Sequence, residues 1–374
     1  MNSAHHLLAT PFVLAIAVAV MVVLSAPFVG QIRDWIRTTF PGHFILVVGI
    51  MGGVVLLAAC VAAVRRIRDR KASRYGLILV ALAIAVGYST FAAGPNPESN
   101  AVERFHFLEY GLIAFLFYRA WRPLGDLSIV LLPVLAGLIV GTAEEWLQWF
   151  IPRRVGEIAD IFLNLVAIGC GLLFSIAVLP PDSFSPRLQW PSVPRIARMA
   201  GAAGLALAVF VHVLHLGYRI SDAEAGSFVS RYGGDRLLAL QAEKAVAWRT
   251  SPPPLVLVRV SREDQYLSEG IEHVMHRNEL WTAGDVAGAW AENRILEKYF
   301  APVLDTPTYA GKSGHRWPPE QRADAAARAK PTADYVSEAY PYRILTWHKG
   351  VFWTVVAILL TLLLVTARGY RAVG

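Results

Sequence analysis

Phe44-Ile-Leu-Val-Val-Gly-Ile-Met-Gly-Gly-Val-Val-Leu-Leu-Ala-Ala-Cys-Val-Ala-Ala-Val64 contains no charged, amide or hydroxyl side chain. A helix rises about 1.5 Å per residue and a bilayer's hydrocarbon core is about 30 Å thick, so roughly 20 apolar residues cross it. The stretch meets that length. Directly after it come Arg65, Arg66, Arg68, Arg70, Lys71 and Arg74, the basic flank expected on the cytoplasmic side of a span.

The same pattern recurs along the 374 residues, of which 55% are hydrophobic and 17% charged. Apolar blocks at 9–29, 43–64, 75–94, 106–121, 127–150, 160–179, 200–217 and 350–367 predict eight spans. The first block is longer than a signal peptide's apolar core and more spans follow, so it reads as a retained helix. The net charge of +7 does not point to nucleic acid, because the arginines cluster in short connections between apolar blocks. Cys60 and Cys170 lie within apolar blocks and read as small buried residues.

The basic connections set an expected topology. Arg119 and Arg122, Arg187, Arg195 and Arg198, and Arg368 and Arg371 fall on the same side as the first basic loop. Both termini are then cytoplasmic, in an inner (plasma) membrane protein. The fold class expected is mainly α: a polytopic membrane helix bundle with a small α+β extracytoplasmic domain between helices seven and eight. Five segments follow. Residues 1–74 hold two spans and a basic loop, 75–180 a four-helix membrane domain, and 181–217 a cytoplasmic loop and the seventh span. Residues 218–348 form the extracytoplasmic domain, and 349–374 the eighth span and a basic tail. Within 218–348, helices are predicted at Asp235–Arg249, Glu263–Asn278, Asp285–Phe300 and from Pro318-Pro319-Glu320, with a strand at Leu255–Val260.

Ionisable side chains inside a span cost a few kcal/mol or more at the bilayer centre, so they carry the information. They gather in two stretches. The first is Glu103-Arg-Phe-His-Phe-Leu-Glu-Tyr110, where helical spacing puts Glu103, His106, Glu109 and Tyr110 close to one face. The second runs from Gly141 to Asn164 and contains Glu145-x-x-Gln148, Arg153 and Arg154 after Pro152, and Asp160-x-x-x-Asn164. In the expected topology all of these lie at the outer membrane face. Glu103, His106, Tyr110, Glu145, Gln148, Arg153, Arg154, Asp160 and Asn164 are the candidate ligand-binding residues. The arginines would neutralise carboxylates or hold an anionic group. Charges at helix ends also act as interfacial anchors; it is the whole constellation on one face that favours a site.

The two stretches, with Gly169-x-Gly171 after them, resemble the VanZ-like membrane protein family over about residues 75–180. The family pattern is a His-containing segment entering one helix, Glu-x-x-Gln, an Arg in a short turn, then Asp-x-x-x-Asn and a glycine pair. Glu103 and Arg104 stand where many members have Asp-Lys. The family takes its name from a protein linked to resistance to the glycopeptide teicoplanin, so the resemblance implies a cell-envelope setting and a link to antibiotic resistance.

Three functions fit these residues. One is binding of an anionic lipid or glycolipid at the outer-face pocket. The second is an enzyme acting on a lipid-linked envelope precursor, with His106, Glu145 or Asp160 as catalytic candidates. The third is a scaffold recruiting an envelope protein partner through 218–348. Glu272-His-Val-Met-His276 has two histidines at helical spacing, with Glu269 one turn before His273. It lacks the HExxH order, and a packed or solvated helix face is the plainer reading, so no metal is expected. His212 and His215 read as a helix-end pair facing the outer pocket or as interfacial residues. No Walker loop, dinucleotide fingerprint or Gly-x-Ser-x-Gly elbow occurs, so no cofactor is expected either, and no nucleic-acid partner.

Overall fold

The computed structural model describes residues 2–94, 96–151, 154, 156–250, 264–307 and 313–373. The chain divides into two compact units. The first comprises 1–148, 157–209 and 355–374; the second comprises 149–156 and 210–354.

Helices α1 (Asn2–Thr39), α2 (Phe44–Arg66), α3 (Lys71–Phe91), α4 (Pro97–Glu103), α5 (Phe105–Trp121), α6 (Ser128–Gln148), α7 (Ile158–Val178) and most of α8 (Val193–Phe210) build the first unit. Among the described residues, seven helices are long and apolar enough to cross a membrane. Leu46, Ile50, Val54 and Leu57 along α2 are exposed, which an apolar solvent tolerates and water does not. The chain is a multi-pass membrane protein. The segment expected as the fourth span is α5, a helix of 17 residues and so shorter than those seven. At ~1.5 Å per residue it still measures about 26 Å, near the hydrocarbon thickness.

Tyr110, Ile113, Phe117 and Tyr118 of α5 pack with Ile129 of α6 and Ile168 of α7 in the core. Close backbone approach between α5 and α7 is possible because Gly111 faces Gly171, as small residues allow in membrane helix pairs. Arg74 does more than mark topology: it is buried, and its Nε donates to the Ala177 carbonyl at 2.6 Å and its Nη2 to that of Val178 at 3.2 Å. A cation there satisfies the carbonyls that end α7. The continuous helical face expected from Glu103 to Tyr110 is interrupted. Asn96 caps α4, Pro97 opens it, and the helix breaks for one residue at Arg104, where Phe107 N–H bonds the Arg104 carbonyl three residues back.

The second unit opens on a π-helical turn at Val211–His215. A hairpin follows, β1 (Tyr218–Asp222) against β2 (Gly226–Ser230), with Ile220 opposite Phe228. Asp222 Oδ1 accepts from the N–H groups of Glu224 and Ala225 in its turn, and Gly226 takes φ +87°. Helices α9 (Gly234–Thr250), α10 (Gln265–Thr282), α11 (Val286–Tyr299), α12 (Ala301–Asp305) and α13 (Pro319–Ala327) complete it before α14 (Lys349–Val373). The four helices expected here are present at α9, α10, α11 and α13, with Asp264 capping α10 and Asp285 capping α11. The strand expected at Leu255–Val260 lies outside the described residues. The hairpin at 218–230 was not anticipated.

Polar groups line the inside of this unit. Glu269, His273 and Arg277 follow one another at four-residue spacing on α10 and are all buried. Glu269 accepts from Ser230 Oγ at 2.5 Å, the Arg231 N–H at 3.1 Å and Tyr340 Oη at 3.0 Å. Burial nonetheless dominates these donors and pushes its carboxyl up to about 7. The folded state therefore holds a proton that the unfolded chain releases near 4.5. Its contribution to stability is complete below pH 4.5 and is lost as pH rises to about 7. At about 1.4 kcal/mol per pH unit this amounts to at most ~3 kcal/mol. Thermal unfolding of the parent and of Glu269→Gln should show a loss of stability between pH 5 and 7.5 that the variant lacks; equal pH profiles would refute the assignment.

Candidate functional site

The candidate residues of the first unit separate into two adjoining groups. In the first, α5, α6 and α7 enclose a set of hydrogen bonds. His106 Nδ1 and Asn164 Oδ1 are hydrogen-bonded at 2.9 Å. The imidazole also stacks on Tyr110, with ring centroids 6.1 Å apart. Tyr110 Oη donates to Glu144 Oε2 at 2.6 Å. Gln148 Nε2 donates both to Glu144 Oε1 at 3.3 Å and to Glu145 Oε1 at 3.1 Å. Glu145 Oε2 in turn accepts the Glu157 N–H at 3.0 Å, which ties the end of α6 to the start of α7.

Tyr110, Glu144, Glu145, Gln148 and Asn164 are all buried. In hydrocarbon such groups must satisfy each other, because water is not there to do so. This arrangement depends on Gly141, where a Cβ would come within 3.2 Å of Asn164 Nδ2 and 3.5 Å of Tyr110 Oη. Glu144 escaped the sequence reading. The signal was present, since Glu144 and Gln148 are four apart and share a helix face, but its partner Tyr110 lies on another helix.

The second group surrounds a cavity of about 220 Å³ at the end of α3 and the starts of α5 and α7. Glu103, Glu157 and Asp160 line it with Arg104, Asn100 and Phe107. Glu103 and Asp160, expected in one site, do share this wall. Glu157, Arg104 and Asn100 are additions. Like charges sharing a small cavity repel unless a cation or protons join them. Three carboxyl groups against one guanidinium make this wall acidic. Burial and the neighbouring carboxylates raise Glu103 and push Glu157 up to about 7, so its negative charge is partial.

Arg153 lies outside the described residues. Arg154 belongs to the second unit, where its Nε is buried with no hydrogen-bond partner among the described residues. His212 and His215 also belong to that unit and are engaged within it. Trp353 Nε1 donates to His212 Nδ1 at 3.2 Å, and His215 Nδ1 donates to the Arg343 carbonyl at 2.8 Å. Of the two histidines on α10, His273 is buried and bonded through Nδ1 to Glu292, while His276 sits 4.0 Å from Glu279. Among the described residues, no group of three or more His, Cys, Asp and Glu side chains is placed to hold a metal ion.

The helices and the polar groups enclosed by them define a multi-pass membrane protein with an ionisable cluster between its helices. No family model, curated protein or solved structure matches the chain.

Proposed function

We propose that this is a VanZ-like envelope protein whose first unit binds the headgroup of a membrane amphiphile in the cavity walled by Glu103, Glu157 and Asp160. The observation that carries the reading is the composition of that wall: carboxylates from two distant stretches meet around one space beside membrane-spanning helices. Its charge favours a headgroup bearing an ammonium, with Arg104 facing a phosphate if one is present. The purely anionic headgroup expected from Arg153 and Arg154 fits this wall less well. The distribution of basic connections favours a cavity at the outer leaflet, cytoplasmic termini and an external 218–348 region.

Binding is favoured over catalysis because the buried Tyr110–Glu144–Gln148–Glu145 chain is occupied with its own hydrogen bonds and with holding α7. The protein purified in mild detergent should carry amine-headgroup lipid enriched over the membrane average. In the double variant Glu103→Gln, Asp160→Asn, native mass spectrometry should find that enrichment lost. The same lipid profile in parent and variant would sink the reading.

A further inference from the structure

A second cavity, of about 370 Å³, lies further along the same helices. It is lined by apolar residues, among them Ala59 of α2, Ala85 of α3, Leu108 and Gly111 of α5 and Phe174 of α7. Phe107 lines both this cavity and the polar one. We infer that the two are head and tail compartments of one site, and that the site takes a lipid with an amine-bearing headgroup and one acyl chain threaded between α2, α3, α5 and α7. This rests on the headgroup reading above and extends it.

The order of residues along the shared helices supports a single occupant. On α7, Ala159, Asp160 and Leu163 face the polar cavity, and Cys170, Gly171, Phe174 and Val178 face the apolar one. On α3 the order is reversed, as an antiparallel neighbour requires: Tyr88 and Ser89 belong to the polar cavity, Ile78 to Ala85 to the apolar one. From Asp160 to Val178, the last α7 residue on the apolar cavity, is about 27 Å at ~1.5 Å per residue. One leaflet with its headgroups is half of the ~40–45 Å bilayer. Together the two compartments run somewhat longer than one leaflet and share the polarity gradient of one lipid.

The small residues matter to this shape. Ala59, Ala85 and Gly111 leave space that leucine or phenylalanine would fill. A phenylalanine at Ala85 of α3 or at Ala59 of α2 should block the tail compartment from either helix while leaving every polar group in place.

The test uses the full chain in detergent and two probes, a lysophosphatidylethanolamine below its micelle concentration and water-soluble glycerophosphoethanolamine. The parent should bind the lysolipid at least ~10-fold more tightly than the headgroup alone, since each buried methylene adds to affinity. Ala85→Phe and Ala59→Phe should each remove most of that advantage and leave the affinity for glycerophosphoethanolamine within about twofold. Variants that elute as the parent does yet keep the full lysolipid advantage would overturn the single-site inference with the headgroup reading intact. If lysophosphatidylglycerol binds as tightly as the ethanolamine lipid, and Asp160→Asn changes neither, the headgroup reading itself fails and the groove holds bulk acyl chains only.

Discussion

Replacing Glu292 with leucine should lower the stability of the second unit by about 3–5 kcal/mol, because it leaves two buried hydrogen-bond donors without their acceptor. Glu292 is fully buried and accepts from His273 Nδ1 and from Tyr335 Oη, both at 2.6 Å. Burial acts to raise its carboxyl, but the charge of His273 and the hydrogen bonds from His273, Ser337 and Tyr335 outweigh it and hold the group below the ordinary carboxylate value. His273 Nε2 already lacks a partner among the described residues, so the leucine variant strips the ring of its remaining hydrogen bond. Tyr335 would lose its acceptor too, and each orphaned group costs about 1–3 kcal/mol. At about 2–4 °C per kcal/mol for a domain of this size, the melting transition should fall by roughly 10 °C. Near-ultraviolet circular dichroism of the full chain in detergent reads it. Glu292→Gln keeps an acceptor and should cost clearly less; equal effects of the two variants, or a change below about 1 kcal/mol for leucine, would show that the pair contributes little.

The contrast between this cluster and the membrane helices explains what could be read from residues alone. A span must present enough apolar length to cross hydrocarbon, and that demand is local, so the blocks at 43–64, 127–150 and 160–179 correspond closely to α2, α6 and α7. Caps are equally local: the Pro318-Pro319-Glu320 signal does open α13. The pairing of Tyr110 with Glu144, or of Glu292 with His273, is set by which faces of two helices meet, and spacing within one helix does not contain it. The same holds for Glu145, whose spacing to Gln148 suggests a site while its contact with the Glu157 N–H gives it a structural task. The hairpin at 218–230 eluded the reading because each strand is five residues long and alternation that short is a weak signal. The one-residue break at Arg104 has no signal in the sequence, because nothing in Glu103-Arg-Phe-His106 breaks a helix.

The glycine pair offers the sharpest separation of the two levels. Gly169 and Gly171 look equivalent as residues, two apart on one helix. A Cβ on Gly171 would lie 2.7 Å from Gly111 Cα, 2.8 Å from the Gly111 carbonyl oxygen and 3.0 Å from Ala114 Cβ. None of these atoms can rotate away, so the helices themselves must part. A Cβ on Gly169 meets nothing within 4 Å. Gly171→Ala should therefore cost at least ~2 kcal/mol, in the range of overpacked cores, and should loosen α5 from α7. Gly169→Ala should be neutral or stabilising by up to ~1 kcal/mol, because alanine favours the helix over glycine. Thermal unfolding in detergent compares the two variants directly. Since Gly111 and Gly171 also form part of the apolar cavity's wall, parting the helices should weaken lysolipid binding in Gly171→Ala and leave it unchanged in Gly169→Ala. Equal behaviour of the two variants would mean that α5 and α7 do not pack through these glycines.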